Sequence, residues 1–237
     1  MKRIYISFDD TDTLNTPGTG HLLTRFLESL PCDSSYITRH QLFVSPDVPY
    51  TSHNSAMCSM VTGEPELREL IDAASAFLEE TFISGADPGL CIACADEVLA
   101  PEKLVQWGYR AKKEVLTKDA AYALAEVCHV HLSEHGGTGQ GIVGALAAVG
   151  LRLGGQDGRV KGRREVHPPR LTVAELLRET GFDRVSALGE GTLGPDQLIV
   201  TDGERVKAVY QDYRSTVLAV RDGALYRPVG KDVLKSY

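Results

Sequence analysis

An excess of basic residues is the first thing this chain lacks. Its 237 residues carry 25 lysines and arginines against 32 aspartates and glutamates, a net charge of −7. Broad, unspecific nucleic-acid binding usually leaves a basic footprint, so that class is disfavoured, although a local basic patch is compatible with the balance. A paired cysteine framework is missing too. Cys32, Cys58, Cys91, Cys94 and Cys128 are odd in number and scattered, which reads as intracellular thiols. No apolar run approaches the ~20 residues that span a bilayer; the longest uncharged one is "GIVGALAAVGL" at 141–151. The opening "MKRIYISFDD" is too short in its apolar part, and too acidic afterwards, for a signal peptide. No internal repeat, low-complexity tract or G-x-x-x-x-G-K-[ST] loop occurs. The expectation is a cytoplasmic protein with no membrane partner.

What remains is an ordinary globular composition, 43% hydrophobic and 24% charged, long enough for one large domain or two modest ones. Residues 2–8 read as a buried strand, and 18–30 as a helix, from apolar residues at 3–4 spacing. Residues 35–45 and 55–63 read as strands. The segment 64–82 is a helix with Pro65 near its first turn, where proline is tolerated, and 89–96 is a fourth strand. The order βαββαβ is that of a ferredoxin-like antiparallel sheet with both helices on one face. Residues 101–154 read as a largely helical extension. Near Gly154 the composition turns rich in Gly, Pro and Arg ("GGQDGRVKGRREVHPPR"), a linker or exposed loop. Beyond it, Asp-Gly pairs at 202–203 and 222–223 separate β-rich runs as hairpin turns do. The fold expected is α+β, with a ferredoxin-like, kinase-like domain over 1–155 and a small β-rich unit over 156–237.

Chemistry concentrates in a few places. "FDDTDTLNTPGTGHLL" sets Asp9, Asp10 and Asp12 at the end of the first strand, where they would point toward one crevice. Carboxylates this close repel, and a magnesium ion shared with substrate phosphates would remove the repulsion. A turn capped by Asp and Thr side chains is the plainer alternative. "EHGGTGQGIVGALAAVG" places Gly137, Gly139 and Gly141 ahead of an apolar helix, where backbone amides can cradle phosphate. Close helix packing explains such glycines equally well. In "HVHLSEH", His129 and His131 on a strand would share a face and suit zinc, or be half-buried, or touch a nucleotide. "CIAC" has redox or zinc spacing, but on a strand Cys91 and Cys94 would face opposite ways. "YRAKK" (109–113) and "GRVKGRR" (158–164) suit phosphates or simply a solvated face.

Together, "FDDTDT…GTGHL", "SPDVPYTSHNSA" and "GGTGQGIVGALAAVG" resemble the motifs of the agmatidine synthetase family, the archaeal tRNA 2-agmatinylcytidine synthetases. The similarity extends over most of residues 1–220. It implies an ATP- and magnesium-dependent phosphotransferase or ligase. In that family clustered aspartates, matched here by Asp9, Asp10 and Asp12, work with magnesium and ATP to phosphorylate carbon-2 of a wobble cytidine, and agmatine then displaces the phosphate. A threonine of the same loop becomes phosphorylated, and Thr19 is its counterpart. The resemblance thus implies Asp9, Asp10, Asp12 and Thr19 as catalytic residues and Asp10 and Asp12 as metal ligands. Gly18, Gly20, Gly137, Gly139 and Gly141 would form the nucleotide cradle.

The pattern also departs from the family. Its Cys-Thr-Thr-Tyr reads Gly18-Thr19-Gly20-His21, and its lysine in the Asn-Pro segment is replaced by Thr51 or Ser52. An OB domain and a zinc ribbon are not read here, so the phosphoryl chemistry carries over better than the tRNA substrate. The expected partners are a nucleotide and an RNA or small-amine acceptor, with homo-oligomerisation open. Two other readings compete. One is a nucleotide-binding or regulatory protein without turnover. The other is a haloacid-dehalogenase-like phosphatase suggested by Asp10-Thr11-Asp12, against which Leu14 stands where D-x-D-x-T needs threonine.

Overall fold

The apolar run after Lys2 forms β1 (Lys2–Asp9), whose last six residues are buried on both faces. A strand buried on both faces belongs inside a sheet. The computed structural model, which describes residues 2–46, 48, 53–203 and 205–237, places it there. The chain divides into two units, Met1–Gly154 and Gly155–Tyr237. It is of mixed α/β class, with fourteen strands and seven helices among the described residues.

In the first unit β1 is followed by α1 (Thr19–Ser29), β2 (Asp33–Ser34), β3 (Thr38–Gln41), β4 (Ser55–Gly63), α2 (Leu67–Glu80) and β5 (Gly89–Cys94). Then come α3 (Pro101–Ala111), α4 (Lys118–Cys128), β6 (His131–Glu134) and α5 (Gly141–Gly154). The strands lie in the order β6-β5-β1-β4-β3, with β2 also on β4. All of these pairings are antiparallel.

Alternation along the strands sends side chains to two cores. Ile4, Ile6 and Phe8 pack with Leu23 and Phe26 of α1 and Leu70, Ala74 and Leu78 of α2. Phe8 and Phe26 rings sit 5.5 Å apart. On the opposite face Tyr5, Cys58 and Ala93 pack under Trp107, Ala121 and Leu146, from α3, α4 and α5. Cys91 and Cys94 fall on opposite faces, as a spacing of three on a strand requires, and all five cysteines are free. Helix α5 is apolar nearly all round and buried from Gly144 to Arg152, the pattern of a core helix. A Cβ on Gly150 would strike the Leu104 carbonyl, and one on Gly108 would approach the Ala147 carbonyl at 2.9 Å. These glycines let α3 and α5 come together.

One expectation is corrected here: the strand expected over 35–45 is confined to Thr38–Gln41. The extension over 101–154 is largely helical as expected, and the strand read in "HVHLSEH" is β6, which begins at His131 between α4 and α5. Strand β6 is short and half-exposed. Pairing with β5, Gly89 opposite Glu134 and Ile92 opposite His131, creates it.

The second unit holds β7 (Arg159–Val160), β8 (Arg170–Thr172), α6 (Val173–Thr180), β9 (Arg184–Ala187), β10 (Gly191–Thr192) and β11 (Leu198–Val200). It continues with β12 (Val209–Gln211), β13 (Arg214–Asp222), β14 (Leu225–Pro228) and α7 (Lys231–Leu234). Strand β13 is its spine, pairing antiparallel with β12 and β14 and parallel with β9. Thr172 and Glu175 close a capping box on α6. Asp222-Gly223 does turn a hairpin, with Asp222 opposite Leu225. Asp202-Gly203 does not: β11, before it, pairs with β14 and β8 rather than with β12. Another tight hairpin, β12 to β13, turns at Asp212-Tyr213 with φ of 49° and 61°. Positive φ at both residues is the two-residue hairpin geometry that glycine and asparagine normally supply. Here Arg184 holds Asp212 at 2.5 Å, and the Tyr213 N–H donates to the Gly155 carbonyl at 3.1 Å.

Candidate functional site

The end of β1 leads directly into a cavity of about 530 Å³. The chain leaves the strand through Asp10, whose φ of 52° turns it sharply. The Asp10 carbonyl accepts the Asp87 N–H at 3.0 Å, which ties this turn to the loop before β5. Asp9, Asp10, Asp12 and Thr19 all line the cavity. The Thr19 hydroxyl donates to Asp12 Oδ1 at 2.8 Å and its N–H reaches the same oxygen at 3.2 Å. The Thr11 N–H donates back to Thr19 Oγ1 at 3.3 Å. Beneath them the buried Thr11 hydroxyl has no hydrogen-bond partner among the described residues.

Burial dominates the electrostatics. It pushes the Asp9 carboxyl well above the ordinary carboxylate range, and the neighbouring Asp10 charge pushes it further. Asp10 is raised to about 6, first by burial and then by the charges of Asp87 and Asp12. Asp9 can sink this deep because Gly144 of α5 lies against it; a Cβ there would collide with Asp9 Oδ2.

Three helix N-termini meet the same cavity: Thr19 opens α1, Thr117 and Lys118 open α4, and Gln140 and Gly141 open α5. Each carries partial positive charge and backbone N–H groups suited to anions. Leu42, Phe43, Val115, Leu116 and Val143 form an apolar wall, able to take a flat heterocycle. A cavity with an apolar side, convergent polar groups and raised carboxyl pKa values has the usual properties of a ligand site.

The glycines expected to cradle phosphate divide. Gly141 lines the cavity. Gly18 is the N-cap of α1 and Gly20 its second residue, flanking Thr19. Gly137 and Gly139, with φ of 58° and 74°, lie in the loop between β6 and α5, and a Cβ on them would collide with Asp87 and Glu134. Neither lines the cavity, so packing and backbone conformation account for both. Gly144, inside the same motif, does line it.

The histidine motif is rearranged. His129 caps the C-terminus of α4 with φ of 58° instead of joining a strand. His131 and His135 instead flank Ser133, their Nε2 atoms 2.9 and 2.8 Å from its hydroxyl, and burial holds both imidazoles below their usual pKa. Among the described residues no three His, Cys, Asp or Glu side chains are arranged as a metal cage. Of the basic segments, Arg110 pairs with Glu114 at 2.7 Å. In the second unit Arg164 lies over the Phe182 ring.

Sequence reasoning passed over His53, Glu114, Lys118 and Asp119, which also line the cavity. Thr117, whose hydroxyl caps α4 by accepting the Ala120 N–H at 3.3 Å, was the available signal for the last two. Thr51 and Ser52, where the family's lysine would fall, lie outside the described residues.

Fold and cavity together define a mixed α/β protein with a carboxylate-rich, anion-compatible cleft at a strand end. No family model matches the sequence. The chain is 30% identical over 163 residues to TiaS of Thermococcus sibiricus, an isoleucine-tRNA 2-agmatinylcytidine synthetase, covering 65% of this chain and 36% of that protein. It is 26% identical over 155 residues to the TiaS of Archaeoglobus fulgidus, covering 64% and 36%. The crystal structure of a complex of TiaS with an isoleucine tRNA, AMPCPP and agmatine superposes with a TM-score of 0.55 at 21% identity, over 74% of this chain and 43% of that one. The chain is thus TiaS-like over about two thirds of its own length, and spans little more than a third of the relatives it matches. No helix among the described residues is long and apolar enough to cross a membrane.

Proposed function

We propose that this protein is an ATP-using phosphotransferase of the agmatidine-synthetase kind, working in the cleft at the end of β1. The observation that carries the reading is the Thr19 hydroxyl, fixed by Asp12 at 2.8 Å where three helix N-termini meet a carboxylate cluster. The triphosphate would lie across these N-termini, with its base against the Phe43 and Val143 wall. Order β5-β1-β4-β3, with α1 and α2 on one face, supports a ferredoxin-like assignment for the first unit.

The donor set fits a hard cation. Asp10 and Asp12 would hold magnesium together with the substrate's phosphates. Charge repulsion that now raises Asp10 would become attraction to the ion. When bound, the metal neutralises charge on the transferring phosphoryl group. The chain's own residues do the rest. Asp12 orients the Thr19 oxygen and takes its proton as the Thr19 Oγ–P bond forms and the β–γ phosphoanhydride bond breaks, releasing ADP. The TiaS complex contains an isoleucine tRNA and agmatine, so an RNA nucleotide and a cationic amine are the acceptors proposed for the subsequent steps.

The test is incubation with γ-labelled ATP and magnesium. Label should appear on wild type, vanish in Thr19→Ala, and fall at least 100-fold in Asp12→Ala. Magnesium-dependent ATP binding without label transfer or ATP turnover would replace this reading with that of a nucleotide-binding protein lacking catalysis.

A further inference from the structure

The cavity is lined by five acidic side chains, Asp9, Asp10, Asp12, Glu114 and Asp119, and by a single lysine or arginine among the described residues, Lys118. A triphosphate entering such a site needs fixed positive charge beyond helix N-termini. Lys118 is the available source, and it is already engaged. Its Nζ donates to both Glu134 oxygens, at 2.9 and 2.8 Å, and to the Thr138 carbonyl at 2.5 Å. An ammonium has three N–H donors, so all three are used.

The partners of Lys118 connect it to the acidic cluster. Thr138 sits in the glycine loop between β6 and α5, and its N–H and hydroxyl both donate to the Asp87 carboxylate. The Asp87 N–H in turn donates to the Asp10 carbonyl, and its carbonyl accepts the Gly141 N–H. Lys118, the loop, the start of α5 and the acidic turn therefore form one hydrogen-bonded chain. Tyr122, one turn along α4, also donates to Glu134 at 2.9 Å, so Glu134 keeps a partner when Lys118 leaves.

We propose that Lys118 is the phosphate-anchoring cation of this cleft, stored on Glu134 and the Thr138 carbonyl and transferred to the nucleotide's phosphates when they arrive. The inference rests on the nucleotide reading above and names the residue that would bring phosphate into an otherwise acidic site. Glu134 is then a competitor for the ammonium, and removing its charge frees Lys118 for the ligand. A purely structural Lys118–Glu134 strap behaves in the opposite way, because loss of either partner loosens the same loop.

The experiment is calorimetric titration of Mg-ATP into wild type, Lys118→Gln, Lys118→Arg and Glu134→Gln. Lys118→Gln should weaken binding at least 10-fold, Lys118→Arg should stay within about 3-fold of wild type as a retained cation would, and Glu134→Gln should bind as tightly as wild type or tighter. Undiminished affinity in Lys118→Gln overturns the inference while leaving the nucleotide site standing. Weakening in Glu134→Gln comparable to that of Lys118→Gln identifies a strap and also overturns it. Should Lys118→Gln fail to fold, Glu134→Gln must bind Mg-ATP more tightly than wild type to sustain the inference, and equal or weaker binding overturns it. No Mg-ATP binding by wild type overturns both this inference and the reading beneath it.

Discussion

Asp10→Asn isolates the cost of the carboxylate cluster. Asp10 has φ of 52°, a conformation asparagine adopts at least as readily as aspartate, so the backbone should accept the change. The structure holds Asp10 at about 6 against an ordinary 3.8. At roughly 1.4 kcal/mol per pH unit this is about 3 kcal/mol against the ionised form, and partial exposure reduces it to about 1–2 kcal/mol after solvent screening. The sign follows from linkage. An acid raised on folding costs nothing below the unfolded pKa, where both states are protonated, and the full penalty appears above the folded pKa. Wild type should therefore lose stability from pH 4 to above pH 6, and Asp10→Asn should lose less. Urea denaturation in EDTA at pH 4.5, 6 and 8 measures this directly. The variant should be more stable by about 1–2 kcal/mol at pH 8 and nearly equal at pH 4.5. A difference that is independent of pH, or a variant less stable at pH 8, would refute the account of a repelling, buried cluster.

Other consequences can be checked quickly. Gly144→Ala puts a Cβ into Asp9 Oδ2 and within 3.0 Å of Leu42 Cδ1; overpacking of this kind costs about 1–3 kcal/mol, read as a lowered urea midpoint together with weakened Mg-ATP binding. Cys32 is the one cysteine that is not buried, and burial pushes the Cys58 thiol up to about 12, so a thiol reagent at pH 8 should label one cysteine rapidly and the other four only after denaturation. Thr172→Ala removes the capping box of α6 and should cost about 1 kcal/mol in thermal or urea unfolding.

The strongest elements of the first unit were legible because their patterns are local. The apolar run in "RIYISF" and the helical patterns of residues 18–30 and 64–82 mark a buried strand and two amphipathic helices, and β1, α1 and α2 follow to within a few residues. Spacing alone also separated Cys91 from Cys94 and put three carboxylates at the end of β1. The start of strand β6 was not legible, because pairing with β5 across some forty residues begins it at His131 and leaves His129 to α4. The same remoteness hid the hairpin at Asp212-Tyr213, where Arg184 and Gly155 hold a turn that lacks the usual glycine.

By itself, then, the sequence determined the local periods, the acidic loop and the hydroxyl of Thr19 that the loop carries. The tertiary structure decided which side chains share the cavity. Glu114, Lys118 and Asp119 come from around the start of α4, about a hundred residues from Asp10 and Asp12, and no local pattern relates those segments. Burial is likewise a tertiary quantity: with the charges of Asp12 and Asp87 beside it, it raises the Asp9 and Asp10 carboxyls above the ordinary range. Identical residues left in water would titrate normally, and the cleft would have no reason to want a cation.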